Sequence, residues 1–216
     1  MRFAVIGASG RIGGGIAREA LARGHSVTAV VRDGATVDLG DAVEVRRADA
    51  FDPASLAAAV GGADIVVSAV GHAASLDDQD FYVRVARALV DTLRPLGDKG
   101  PRLLQVGGFG ALESAPGVQY ADSPNLPDHA RPEIAGQRDA LAHYRSVTDV
   151  RWTYLAPPPG GIRAGERSGR YRMERDRITG DPRDTLISIE DFAVGLVDEA
   201  ERGEHPHACV GLSRAT

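Results

Sequence analysis

Three glycines, in Gly7-Ala8-Ser9-Gly10-Arg11-Ile12-Gly13, stand between an apolar run and a helix-like stretch. The run is Arg2 to Ile6. The stretch, Arg11 to Arg23, has apolar residues at Ile12, Ile16, Ala20 and Leu21. In such a turn the first glycine allows a sharp reversal, the second lets backbone approach a pyrophosphate, and the third lets the helix pack closely on the strand. The order strand, glycine turn, helix is the fingerprint of a dinucleotide-binding βαβ unit, with the helix N-terminus facing the negative charge. Gly7, Ser9, Gly10, Arg11, Ile12 and Gly13 are thus the expected cofactor-binding residues, Ser9 and Arg11 adding side-chain contacts to phosphate.

The alternation continues. Apolar strand runs are read at Ser26 to Val31, Val43 to Val45, Asp64 to Val70 and Arg102 to Val106, with helices from Asp52-Pro53 to Val60 and from Asp77 to Leu93. Strands alternating with helices of this length predict an α/β fold, a doubly wound parallel sheet (the Rossmann fold) with helices on both faces. The second half is less regular: a long Gly- and Pro-rich loop at 107–127, a helix over Arg131 to Arg145, a strand at Arg151 to Leu155 and a Pro- and Gly-rich segment without room for a long helix. A helix then starts at Ser188, whose hydroxyl can cap it, with Glu190 and Asp191 near its positive end, and runs to about Arg202. Ala208 to Leu212 reads as a last strand. The expectation is one nucleotide-binding domain over 1–216, with 107–127 and 156–187 as substrate-side loops of a small, loop-rich C-terminal substrate region.

Composition narrows the class. A chain of 216 residues with 43% hydrophobic residues suits one self-sufficient core. The net charge of −5 argues against a nucleic-acid surface. No apolar run reaches the roughly 20 residues of a membrane span. The opening MRFAVIG reads as a strand, not as a basic leader. Cys209 is the single cysteine, which excludes an internal disulfide. The expectation is a soluble, cytoplasmic monomer or homodimer. His205, His207 and Cys209 alternate like strand neighbours but lack a fourth ligand, so no metal is expected.

The second strand ends Val31-Arg32-Asp33. A carboxylate there would hold the ribose 2′-hydroxyl of NAD. The guanidinium of Arg32 suits a 2′-phosphate and points to NADP (NADPH), whereas Asp33 keeps NAD possible. Ala69, Val70 and Gly71 end the fourth strand, where small residues let the cofactor ribose lie against backbone.

The chain resembles the short-chain dehydrogenase/reductase superfamily in its atypical branch, the group of NmrA-like proteins, biliverdin reductase B-like enzymes and NADH–flavin reductases. Besides Gly7–Gly13, the resemblance rests on Val106-Gly107-Gly108, Trp152-Thr153-Tyr154-Leu155 before prolines, Gly165-Glu166-Arg167, Gly169-Arg170-Tyr171-Arg172 and Ile187-Ser188-Ile189-Glu190-Asp191-Phe192-Ala193. It implies that Asp49 contacts the adenine amino group with Ala50 beside it; a helix-capping acid is the competing reading of Asp49. The superfamily's usual Tyr with a Lys four residues later is absent, because Lys99 is the only lysine and Pro95 stands four residues before it. Relatives often carry a serine where this chain has Ala111, which puts a hydroxyl-assisted step in doubt.

A site short of acids is compatible with hydride transfer to a conjugated ring. Charge then delocalises, water supplies the proton, and the protein mainly positions two flat groups. The sequence thus points to an NAD(P)H-dependent reductase of a conjugated small molecule such as a flavin or quinone. A non-turning-over NmrA-like redox sensor, and a pathway-specific reductase, isomerase or dehydratase of a polycyclic metabolite, stay open as alternatives. His72, at the carboxyl end of the fourth strand, and Tyr154, at that of the sixth, are the candidate catalytic groups. A loop histidine without a role and core packing are their competing readings. Pro157 is expected beside the nicotinamide; Phe109 is read either as a wall for the acceptor or as packing inward, and Tyr120 either as a cover for it or as simply exposed.

Overall fold

The computed structural model describes residues 1–41, 43–71, 78, 80–124, 126–178 and 185–215. Eight strands form one sheet: β1 (Arg2–Ile6), β2 (Ser26–Val31), β3 (Glu44–Arg47), β4 (Ile65–Ser68), β5 (Arg102–Val106), β8 (Trp152–Ala156), β10 (Tyr171–Arg175) and β12 (Ala208–Arg214). Two small pairs, β6 (Glu113–Ala115) with β7 (Val118–Gln119) and β9 (Ile162–Arg163) with β11 (Ile187–Ser188), lie outside it. The order β10-β12-β8-β5-β4-β1-β2-β3 is parallel except at the β10–β12 edge. The chain builds outward from β1 to β3, then returns to lay β4 on the other side of β1. That reversal opens a crevice at the strands' carboxyl ends, where doubly wound sheets bind ligands.

The central strands are mostly apolar because helices cover both faces. Helices α1 (Arg11–Ala22) and α5 (Ile189–Arg202) pack on one face, over Phe3, Val5, Val67 and Leu104. Helices α2 (Pro53–Val60), α3 (Phe81–Leu93) and α4 (Arg131–Arg145) cover the other, over Ala4, Val66, Leu103 and Tyr154. Each large apolar side chain so enclosed stabilises the fold by roughly 1.5–3 kcal/mol.

Element boundaries differ from the sequence reading in several places, the third strand, for example, being Glu44–Arg47 and the fourth Ile65–Ser68. Helix α3 begins at Phe81 with Asp80 at its N-cap and Asp78 outside it, later than the expected start at Asp77, a residue outside the described ones. The 107–127 loop contains the β6–β7 hairpin and short 3₁₀ turns. The Pro- and Gly-rich segment also contains β10, which pairs antiparallel to β12; its half-buried side chains lack the apolar continuity of a central strand.

One buried ionic network ties the C-terminal half to α1. Glu19 is buried and accepts from Arg23 at 2.8 Å and from Arg167 at 2.7 and 2.8 Å. Arg23 reaches on to Asp198 and Glu201 of α5 at 2.5 and 2.9 Å, and Tyr171 donates its hydroxyl to Asp198. The Arg167 hydrogen bonds hold the Glu19 carboxyl below its usual range, with Arg23 adding to the effect and burial opposing it. A depressed folded-state pKa stabilises the protein above the unfolded value and loses that stability as pH falls through the folded one. Glu19→Gln is therefore expected to cost about 1–3 kcal/mol in urea unfolding at neutral pH. The gap between variant and parent should close as pH falls below about 4.

Candidate functional site

The Gly7–Gly13 turn sits at the crevice. Gly7 has φ +84°, accessible to glycine at little cost, and a Cβ there would lie 2.8 Å from the carbonyl oxygen of Ala69. A Cβ at Gly13 would overlap the carbonyl oxygen of Gly7. Helix α1 can therefore sit directly against the end of β1 only with glycine at both places. The turn is closed by Gly10 N–H donating to Gly7 O at 2.9 Å and Gly14 N–H donating to Gly10 O at 2.8 Å. Gly10 caps α1 without a side-chain hydrogen bond, and no acidic residue occupies the first turn. Ser9, Gly10 and Arg11 are exposed there, with Ile12 half-buried. The first N–H groups of a helix lack intrahelical acceptors. With Arg11 beside them, they make a cradle that fits a pyrophosphate.

On one side of the cradle lie the ends of β2 and β3. Arg32 is exposed, and Arg47 donates to its backbone carbonyl at 3.0 Å and to Ala35 O at 3.4 Å. The Arg47 guanidinium also stands 3.9 Å from the carboxylate of Asp33. Asp49 is exposed and closes its own turn, its Oδ1 accepting from Phe51 N–H at 2.9 Å. Asp52, not Asp49, caps α2, accepting from Ala54 N–H at 2.9 Å. Ala50 packs against the α2–α3–α4 core cluster.

On the other side, Ala69, Val70 and Gly71 continue β4 and border the turn. His72 lies outside the described residues. Beyond them come Gly107, Gly108 and Phe109 after β5, and Pro157 after β8. The rings of Phe109 and Tyr120 meet edge-on, centroids 6.1 Å apart. Ala111 is buried in a 3₁₀ turn between them.

Tyr154 is buried, and its hydroxyl is engaged twice, donating to Gln137 O at 3.1 Å and accepting from Gly108 N–H at 3.3 Å. A Cβ at Gly107 would overlap its ring. Burial pushes its phenol well above the usual tyrosine range, the Gly108 bond opposing. The residue packs against the turn after β5, which matches its competing reading as core packing.

The late sequence motifs form one lock. Ser188 Oγ accepts from Asp191 N–H at 2.9 Å, as its capping pattern predicts, and donates to Glu166 O at 2.9 Å. Gly165 N–H donates to Glu190 at 2.9 Å, and Asp191 accepts from Ser168 Oγ at 2.6 Å and Gly169 N–H at 2.7 Å. The 165–171 segment is thereby fastened to the start of α5.

His205 pairs with Glu199 at 2.7 Å, His207 packs edge-on against Trp152, and Cys209 is buried, its thiol pushed up to about 12 by burial. Among the described residues no group of three or more potential ligands could hold a metal, and no helix is long and apolar enough to cross a membrane.

Sequence reasoning overlooked Arg47, Glu133 and Gln137, and counted Tyr82 only as a tyrosine without a lysine partner. Tyr82 donates to Glu133 Oε1 at 2.9 Å, and Gln137 Nε2 donates to the same oxygen at 3.3 Å. The four-residue spacing of Glu133 and Gln137 on one helix face was the available signal.

Comparison with known proteins agrees with this geometry. A model of the NAD(P)H-binding family matches residues 7–202. The chain is 34% identical to YwnB of Bacillus subtilis over 208 residues, 95% of this chain and 94% of that one. The structure of a Burkholderia pseudomallei protein, provisionally named as exported, superposes with a TM-score of 0.85 at 38% identity over 99% of both chains. A Streptococcus pneumoniae protein, provisionally named an NADH-flavin reductase, superposes with a TM-score of 0.86 at 31% identity over all of both chains.

Gly13→Ala is expected to weaken reduced-dinucleotide binding at least tenfold, by nicotinamide fluorescence, and to lower the melting temperature, because α1 must back away from β1. Tyr154→Phe is expected to cost about 1–3 kcal/mol of stability in chemical unfolding, since Gly108 N–H and Gln137 O both lose a buried partner.

Proposed function

The chain belongs to the NAD(P)H-binding family, and on that premise we propose that it is an NADPH-dependent oxidoreductase passing hydride to a conjugated acceptor of the flavin or quinone kind. The observation that carries this reading is the wall beside the cradle. Gly71 leaves backbone exposed at the end of β4, Gly107 is half-buried after β5, and the crossed rings of Phe109 and Tyr120 follow on the same side. Such a wall takes a flat ring better than a flexible alcohol, and positioning two flat rings is most of what this chemistry asks of a protein. The name given to the S. pneumoniae relative supports the same class of acceptor.

In this proposal Gly7, Ser9, Gly10, Arg11, Ile12 and Gly13 hold the pyrophosphate. Asp49 and Ala50 border the adenine, and Ala69, Val70, Gly71 and Pro157 border the nicotinamide ribose and ring. When bound, the dinucleotide supplies the hydride. Arg32 selects the 2′-phosphate, helped by Arg47, which holds the Arg32 backbone and partly neutralises Asp33, the residue that would otherwise favour NADH. The chain acts as one unit, with 107–127 and 156–187 forming the acceptor side. Those loops meet where Glu113 N–H donates to Asp176 O at 2.7 Å. The single buried thiol suits a reducing, cytoplasmic location.

Loss of reduced-nicotinamide absorbance, followed with NADPH and NADH against flavins and quinones, tests the proposal. Turnover preferring NADPH is expected, and Arg32→Ala should raise the Kd for NADPH about tenfold, as expected for a lost charge-assisted hydrogen bond, while leaving NADH binding unchanged. Tight dinucleotide binding without turnover on any acceptor refutes the oxidoreductase and leaves the redox-sensor reading.

A further inference from the structure

Arg18 folds back along α1 toward the glycine turn. A Cβ at Gly14 would lie 3.5 and 3.7 Å from the two terminal nitrogens of Arg18 and 3.2 Å from Ala8 O. The guanidinium of this exposed residue therefore rests over buried Gly14, one turn from the start of the helix. The helix rows fix the direction it faces. Gly15 and Glu19 look toward α5: a Cβ at Gly15 would lie 2.6 Å from the Ile189 side chain, and Glu19 pairs with Arg23, which reaches Asp198. Ile16, Ala17 and Ala20 are buried toward the sheet. With about 100° between successive residues, Gly14 and Arg18 fall on the flank opposite α5. Helix α1 packs on β1 and β2, and α5 on β5 and β12, so that flank looks toward the β2–β3 side, where Arg32 follows β2.

The charge at this end of α1 is unbalanced. A helix N-terminus carries partial positive charge and favours anions over cations. Arg11 already occupies the first position, no acid lies in the first turn, and among the described residues no carboxylate pairs with the side chains of Arg11, Arg18 or Arg32. Acids outnumber bases in this chain, whose net charge is −5, yet none is placed here. Local rules broken in this way are expected where function demands it.

We propose that Arg18 is a second determinant of NADPH preference, closing on the 2′-phosphate from the α1 side while Arg32 closes on it from the β2 side. This rests on the NADPH reading and deepens it. In this arrangement the pyrophosphate meets the helix end at Gly10 and Arg11, and the adenosine lies on the flank that Arg18 faces. A phosphate dianion between two guanidiniums accepts charge-assisted hydrogen bonds from both. It also relieves the repulsion between Arg18 and the helix end. A free ribose 2′-hydroxyl does neither.

The test measures binding to the full chain and needs no turnover. NADPH and NADH are titrated by nicotinamide fluorescence. Calorimetry follows 2′,5′-ADP, which carries the 2′-phosphate without the pyrophosphate bridge. Arg18→Gln is expected to raise the Kd of NADPH and of 2′,5′-ADP about tenfold and to leave that of NADH unchanged, the effect of one lost charge-assisted hydrogen bond. Arg18→Lys keeps the charge without the fork and should recover part of the loss. The melting temperature of ligand-free Arg18→Gln should equal or exceed the parent's, because a cation leaves the positive helix end. Equal weakening of NADPH and NADH puts Arg18 on the pyrophosphate and overturns this inference alone; so does unchanged binding of NADPH, or a lowered melting temperature. A parent protein that binds NADPH no more tightly than NADH overturns the NADPH reading, and this inference with it.

Discussion

The contact between residue 13 and the carbonyl of Gly7 governs the crevice. With glycine at both positions, α1 starts directly at the end of β1, and its first N–H groups face outward beside the ends of β2 and β4. A methyl group at residue 13 would push the helix away and turn those donors from the place where a pyrophosphate can meet them. Gly7 adds a second constraint, because Ala69 O leaves no room for a side chain between β1 and β4. The outward-facing donors and the strand packing thus follow from one geometric fact, which is why the glycine pattern speaks so clearly for the fold.

The same helix is held at its far end by a different force. Glu19 sits buried between Arg23 and Arg167, and Arg23 continues to Asp198 and Glu201. A buried carboxylate is tolerated only when paired and hydrogen-bonded. Arg167 belongs to the segment fastened to the start of α5 by Ser188, Glu190 and Asp191, so the loop-rich second half is anchored to the nucleotide-binding first half through charge. Gly165, Arg167, Ser168, Gly169 and Tyr171 all take part in that anchoring.

Two tyrosines beside the ends of β4 and β5 differ in environment. Tyr154 lies at the end of a central strand, and burial with two hydrogen-bond partners makes it a prop under Gly107 and Gly108. Tyr82 is also buried, yet its hydroxyl emerges beside Gly71 and meets a carboxylate. That carboxylate is Glu133 of α4, which the sequence reading did not single out.

Local physics determined much of this protein from sequence alone. Continuous apolar runs, glycines at a strand–helix junction and a serine ahead of two acids each act over a few residues, so β1, α1, β2, β5, α4 and the start of α5 were legible, and the tight glycine turn with them. The antiparallel edge β10 was not, because a half-buried edge strand lacks the unbroken apolar signature of a central one. Tertiary structure alone decided what depends on residues far apart in the chain: Glu19 meeting Arg167, Arg47 holding Arg32 and facing Asp33, and Tyr82 reaching Glu133 across α3 and α4. Such pairs are set by which helix faces a shared strand end, and no local spacing encodes that.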